Sequence, residues 1–110
     1  MRQILIDDLS QEELANIDSY LKRSVQTGSI NGMYWLMLPD DLYGPAQSGH
    51  DNCGPFFFGI DLGKASVSFE WLVRSQSNLH CSCISYATAE QRKFLFRFVD
   101  RMLNEEKIKA

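Results

Sequence analysis

Apolar residues recur at three- and four-residue spacing near both ends of this chain and alternate with polar ones in the middle, a pattern of terminal helices around central strands. The first helix has a defined start. Ser10 and Glu13 are spaced as a capping box, and Leu9 and Leu14 as the hydrophobic staple around it. Leu14, Ile17, Leu21 and Val25 follow on one face, with Glu12 and Glu13 in the first turn and Lys22 and Arg23 near the end. Gly28 and the Asn31-Gly32 pair are expected to end it. Residues 3–7, before the cap, read as a short strand.

Three longer strands follow. Residues 33–38 are apolar on both faces, which calls for cover on both sides or an interface. In 56–62, Phe56, Phe58, Ile60 and Leu62 share one face; in 66–74, Val67, Phe69, Trp71 and Val73 do. Gly63-Lys64 suits a two-residue type II′ turn, which would set Leu62 opposite Ala65, Ile60 opposite Val67, Phe58 opposite Phe69 and Phe56 opposite Trp71. A fourth strand is expected over 79–86, after the polar turn Ser75-Gln76-Ser77-Asn78. Thr88 and Gln91 form a second capping box, opening a helix with a broad stripe of Phe94, Leu95, Phe98, Val99, Met102 and Leu103. Phe96 lies off that stripe, and 107–110 are expected to fray. The expected fold is α+β: a helix, a four-stranded antiparallel meander and a helix, with both helices on one face of the sheet.

Composition narrows this further. A chain of 110 residues supports a single domain over 1–110. Its 14 acidic and 11 basic residues give a net charge of −3, which excludes a strongly basic nucleic-acid binder. The charge is uneven: residues 1–20 hold five acids and one base, while Lys93, Arg97 and Arg101, with Arg92 beside them, line one ridge of the second helix. Such a ridge is ordinarily a solvated face, and the aromatics Phe94 and Phe98 belong to the apolar stripe rather than to a base-stacking surface, so nucleic acid is not expected as a partner. Ile4-Leu5-Ile6 is too short for a secretory h-region, no apolar run is long enough to span a bilayer, and three cysteines cannot all pair within the chain. These features point to a soluble, cytoplasmic protein with free thiols and no membrane association.

Candidate chemistry gathers in two windows. His50 and Cys53 lie in the long connection 39–55, the kind of loop that carries function more often than a short one, and His80, Cys81 and Cys83 lie on the expected fourth strand. His50, Cys53, Cys81 and Cys83 have the ligand types of a closed zinc site. Their spacing is not the paired C-x₂-C knuckle, and a domain of this size has enough core to fold without metal, so the first expectation is no metal and no cofactor, with this set as the alternative. Whether Cys81 and Cys83 face the core depends on the length of the turn before them, since a one-residue slip exchanges the faces. Cys53 with His50 as base and Asp51 as orienting group is the enzyme reading of the same loop, but loop residues lack the rigid support catalysis needs. Asp7-Asp8 and Asp40-Asp41 read as solvated cap and turn residues. GIDLGKAS over 59–66 misses the phosphate-loop spacing and leads into a strand.

The function expected is therefore that of a small, non-catalytic binding or adaptor domain that self-associates, as a homodimer, or engages a protein partner. Tyr34, Trp35 and Phe57 are its candidate contact residues, because aromatics are enriched at interfaces. A metal- or thiol-binding protein built on His50, Cys53, Cys81 and Cys83 is the alternative, and an enzyme using the 39–55 loop a third. No small-molecule ligand is identified by the sequence.

Overall fold

The computed structural model describes residues 2–110. β1 (Gln3–Ile6) leads into α1 (Gln11–Ser24), and both halves of the first capping box are made: the Glu13 amide donates to Ser10 Oγ at 3.1 Å and the Ser10 amide to Glu13 Oε1 at 2.9 Å. The helix ends at Ser24, earlier than Gly28, because the backbone turns extended at Val25 and continues as β2 (Gln26–Thr27), paired with Trp35 and Tyr34 of β3 (Met33–Met37). β4 (Phe56–Leu62), β5 (Val67–Ser75) and the two-residue β6 (Ser85–Tyr86) follow, then α2 (Ala89–Glu105), whose capping box of Thr88 and Gln91 is also complete.

The sheet has six strands rather than four, in the order β1-β5-β4-β3-β2, with β6 also on β5 and every pairing antiparallel. β1 and β6 share one edge of β5 and meet at Trp71, whose amide donates to the Arg2 carbonyl at 3.1 Å and whose carbonyl accepts from the Ala87 amide at 2.9 Å.

The β4–β5 register corrects the two-residue turn. Leu62 lies opposite Val67, Ile60 opposite Phe69 and Phe58 opposite Val73. Four residues make the turn, closed by a 2.8 Å bond from the Gly63 amide to the Ser66 carbonyl. The Ala65 carbonyl accepts from the Leu9 amide at 2.9 Å and the Lys64 carbonyl from Gln11 Nε2 at 3.2 Å, so the entrance of α1 fixes this turn. A further irregularity sets Glu70, Trp71 and Leu72 against Gly59 alone. Both displacements are even in residues, so the apolar faces stay where alternation puts them.

The inner face carries Tyr34, Phe58, Ile60 and Phe69, all buried. Phe58 stacks on Phe94 with centroids 6.3 Å apart, and Phe69 and Tyr20 meet Phe98 edge-on at 6.4 and 6.0 Å. Each such ring contributes about 1.5–3 kcal/mol by burial. The Tyr34 hydroxyl donates to Asp18 of α1, so this face meets both helices. In the tail, Ile108 is buried and donates its amide to the Leu103 carbonyl at 2.9 Å. No helix among the described residues is long and apolar enough to cross a membrane.

Candidate metal centre

The connection between β3 and β4 leaves and re-enters the hairpin at one point, where the Leu38 amide donates to the Phe56 carbonyl at 2.8 Å. Between them lie two 3-10 turns, Asp40–Leu42 and Asp51–Cys53. The second delivers two of the candidate ligands, because the Cys53 amide donates to the His50 carbonyl at 2.9 Å and closes the turn that carries both side chains. On the other side, the strand expected over 79–86 is reduced to Ser85–Tyr86, and residues 76–84 run irregularly. Cys81 and Cys83 sit in a turn closed by a 3.1 Å bond from the Ile84 amide to the Cys81 carbonyl, so strand alternation does not set their directions.

The two windows converge. One donor atom from each of His50, Cys53, Cys81 and Cys83 lies within 4.8 Å of all the others. Cys53 and Cys83 are buried, Cys81 is partly exposed, and none of the three is in a disulfide. Cys81 Sγ stands 3.2 Å from His50 Nδ1. A tetrahedral site with metal–sulfur bonds of about 2.3 Å and metal–nitrogen bonds of about 2.0–2.1 Å has sulfur and nitrogen about 3.5 Å apart, so this pair stands within a few tenths of an ångström of that edge. His80, in the same window, is exposed and outside the group.

Polar side chains, those of Gln47, Ser75 and Gln91 buried, hold both windows. The Cys53 carbonyl accepts from Ser75 Oγ at 2.5 Å and from Ser77 Oγ at 3.0 Å, and Asn78 Nδ2 approaches Cys53 Sγ at 3.8 Å. The Cys83 carbonyl accepts from Gln47 Nε2 at 2.8 Å. Gln47 Oε1 in turn accepts from the Gly44 amide at 2.9 Å and from Gln91 Nε2 at 3.0 Å, and Gln91 Nε2 also donates to the Leu42 carbonyl at 2.9 Å. Gln47, Ser75 and Gln91 are each at most 2% exposed, and every polar atom they bury has a partner. In the sequence Gln91 is marked only as a cap and Ser75 only as a turn residue, and Gln47 is not marked at all, because nothing local identifies a glutamine or serine as buried.

The sulfurs are electrostatically unequal. The Cys83 amide points at the Cys81 sulfur and, with the Cys83 and Cys53 thiols, holds Cys81 below the usual thiol range; His50 adds to this. Burial pushes the Cys83 thiol up, and the neighbouring Cys81 and Cys53 sulfurs reinforce the shift. An acidic sulfur beside a proton-holding one, with an imidazole in contact, is a donor set that a soft divalent cation would deprotonate and draw together. Cys53 and His50 are neighbours as the enzyme reading requires, but the sulfur in hydrogen-bond contact with His50 Nδ1 is that of Cys81.

The candidate contact aromatics are dispersed. Tyr34 is buried on the inner face with its hydroxyl on Asp18. Trp35 and Phe57 lie on the outer face in edge-to-face contact at 6.3 Å; Phe57 is 2% exposed and Trp35 half-buried. On the basic ridge, Lys93 pairs with Glu90 at 3.3 Å and Arg92 Nη1 donates to the Ala87 carbonyl at 3.1 Å. Comparison of the chain with protein-family models, with curated proteins and with solved structures gives no significant match.

Proposed function

We propose that this domain binds one zinc ion, or a cation of similar softness, through His50, Cys53, Cys81 and Cys83, as a closed structural site. The observation that carries the reading is the mutual approach of four such donors, drawn from two windows whose donors lie 28 or more residues apart (53 to 81 at the nearest). Three thiolates and one imidazole satisfy a tetrahedral zinc completely, leaving no open position for substrate. The carbonyl and amide bonds to Ser75, Ser77, Gln47 and Gln91 supply the orienting shell that metal sites need around their ligands. The ion's role is local: it ties the 39–55 connection to the 76–84 segment, both largely without sheet hydrogen bonds, while the sheet and helices keep their own backbone pairing. Protein purified without chelators is expected to carry stoichiometric zinc, and cobalt substitution to give the thiolate charge-transfer absorption of a tetrahedral site. A folded protein without soft metal, and unable to take it up, would overturn the reading.

A second reading concerns the sheet face turned away from the helices. Leu5 and Met37, each 53% exposed, stand on that face with half-buried Trp35, which supports self-association or binding of a protein partner there. Of the contact residues considered, Trp35 is the one left accessible. Sedimentation over a concentration series tests self-association; a strictly monomeric species throughout removes it.

A further inference from the structure

We propose that Cys81 is the residue at which a hydroperoxide oxidises the centre, and that this oxidation expels the metal. The inference rests on the zinc reading above and adds a reaction at one named sulfur. Cys53 and Cys83 are buried and Cys81 is partly exposed, so an oxidant arriving from solvent meets Cys81 first. A metal-bound cysteine is held as thiolate, the form that attacks peroxides. The other two sulfurs both lie within 4.8 Å of the Cys81 sulfur. Cys81 also stands in the 76–84 segment, which has no strand pairing to resist the small movement a disulfide requires.

The chemistry closes without a further reagent. The Cys81 thiolate attacks the terminal oxygen of the hydroperoxide; the O–O bond breaks and its electron pair leaves on the alkoxide, or hydroxide for hydrogen peroxide, which takes a proton from water. Cys81 is then a sulfenic acid. The thiolate of Cys53 or Cys83 attacks the Cys81 sulfur, the S–S bond forms, and the departing hydroxide is protonated to water. Two sulfurs have lost two electrons and the peroxide has gained them. One thiolate and His50 remain as donors, too few to hold zinc, and reduction of the disulfide by a dithiol restores the site.

The test uses the zinc-loaded full chain and hydrogen peroxide, with a chromogenic chelator reporting free zinc and peptide mapping reporting each thiol. The expected result is one zinc freed per disulfide formed, a product lighter by two hydrogens, and Cys81 in the disulfide. With dimedone present, the sulfenic acid is trapped on Cys81. Zinc retained with all three thiols intact, or dimedone on Cys53 or Cys83 instead, overturns the proposal. Metal content before peroxide reports separately on the zinc reading. If that reading fails, the same mapping on the metal-free chain still asks whether Cys81 is oxidised first, and a different first site sinks the proposal.

Discussion

Gln91 and Gln47 join the start of the last helix to the candidate metal centre: Gln91 Nε2 donates to Gln47 Oε1 at 3.0 Å, and Gln47 Nε2 donates onward to the Cys83 carbonyl at 2.8 Å. Gln91 Oε1 meanwhile accepts the Thr88 amide at 2.9 Å as part of the helix cap. One buried side chain thus serves a local and a long-range purpose, and the two can be separated by substitution.

Gln91→Glu keeps an acceptor for the Thr88 amide but removes the donor facing Gln47 and Leu42. The loss leaves buried oxygens opposed, so stability is expected to fall by about 1–3 kcal/mol in urea unfolding. Zinc affinity is expected to drop about 10–100-fold, the usual effect of removing a group that orients ligands. Unchanged affinity would show that the amide chain does not support the centre.

Removal of the ion by a chelator is expected to act unevenly. Hydrogen exchange should rise in residues 39–55 and 76–84, while α1 and the β3–β4–β5 centre stay protected by their own backbone pairing and by the fully buried Phe58, Phe69, Ile17 and Leu21, even though Cys53 and Cys83 share their apolar cluster. Exchange that rises uniformly would mean that the ion supports the whole fold.

Tyr34 and Asp18 give a pH dependence with a definite sign. The Tyr34 hydroxyl lowers the Asp18 pKa, with Lys22, 3.0 Å away, helping and burial opposing. The carboxylate form is therefore favoured in the folded state, and its contribution is present above about pH 4 and lost as pH falls through the lowered native value. At the other end, burial and Asp18 raise Tyr34 to about 12, so the neutral phenol's contribution is full below pH 10 and lost as pH rises through 12. Tyr34→Phe is expected to flatten both limbs of the stability profile while leaving the ring's packing. A profile identical to the parent's would refute the assignment.

Gly28→Ala is expected to destabilise by about 1–3 kcal/mol, measured by thermal or urea unfolding. A Cβ at Gly28 would stand 2.9 Å from both the Met33 carbonyl oxygen and the Met33 Cβ, and the Gly28 amide already donates to that carbonyl at 2.7 Å. Backbone is the obstacle, so relief requires opening the β2–β3 turn. A neutral substitution would indicate that the turn yields freely.

Much of this architecture was legible because it is local. Ser10–Glu13 and Thr88–Gln91 are three-residue relationships, and both capping boxes form. The inner-face assignment of Phe56, Phe58, Ile60, Val67, Phe69 and Val73 depends only on alternation, and it survived a register that moved by two and then four residues. The register itself was not legible: the turn that sets it is held by Leu9 and Gln11, more than fifty residues earlier. The same division applies to the centre. Residue types in two short windows named the four candidate ligands, but their convergence depends on Ser75, Ser77, Gln47 and Gln91 fixing the path of chain that carries no periodic pattern. Tyr34 looked like a contact residue because its strand is apolar on both sides; its partner, Asp18, lies on a helix whose approach no strand pattern encodes.

The outermost strands of the sheet are also among its shortest: β1 has four residues and β2 two. Strand addition draws its affinity from a run of free backbone donors and acceptors, and neither border offers a long one. Growth of the sheet from molecule to molecule is disfavoured at both margins. An assembly built from this domain would be held by side chains, and its specificity would reside in residue identity rather than in backbone continuity.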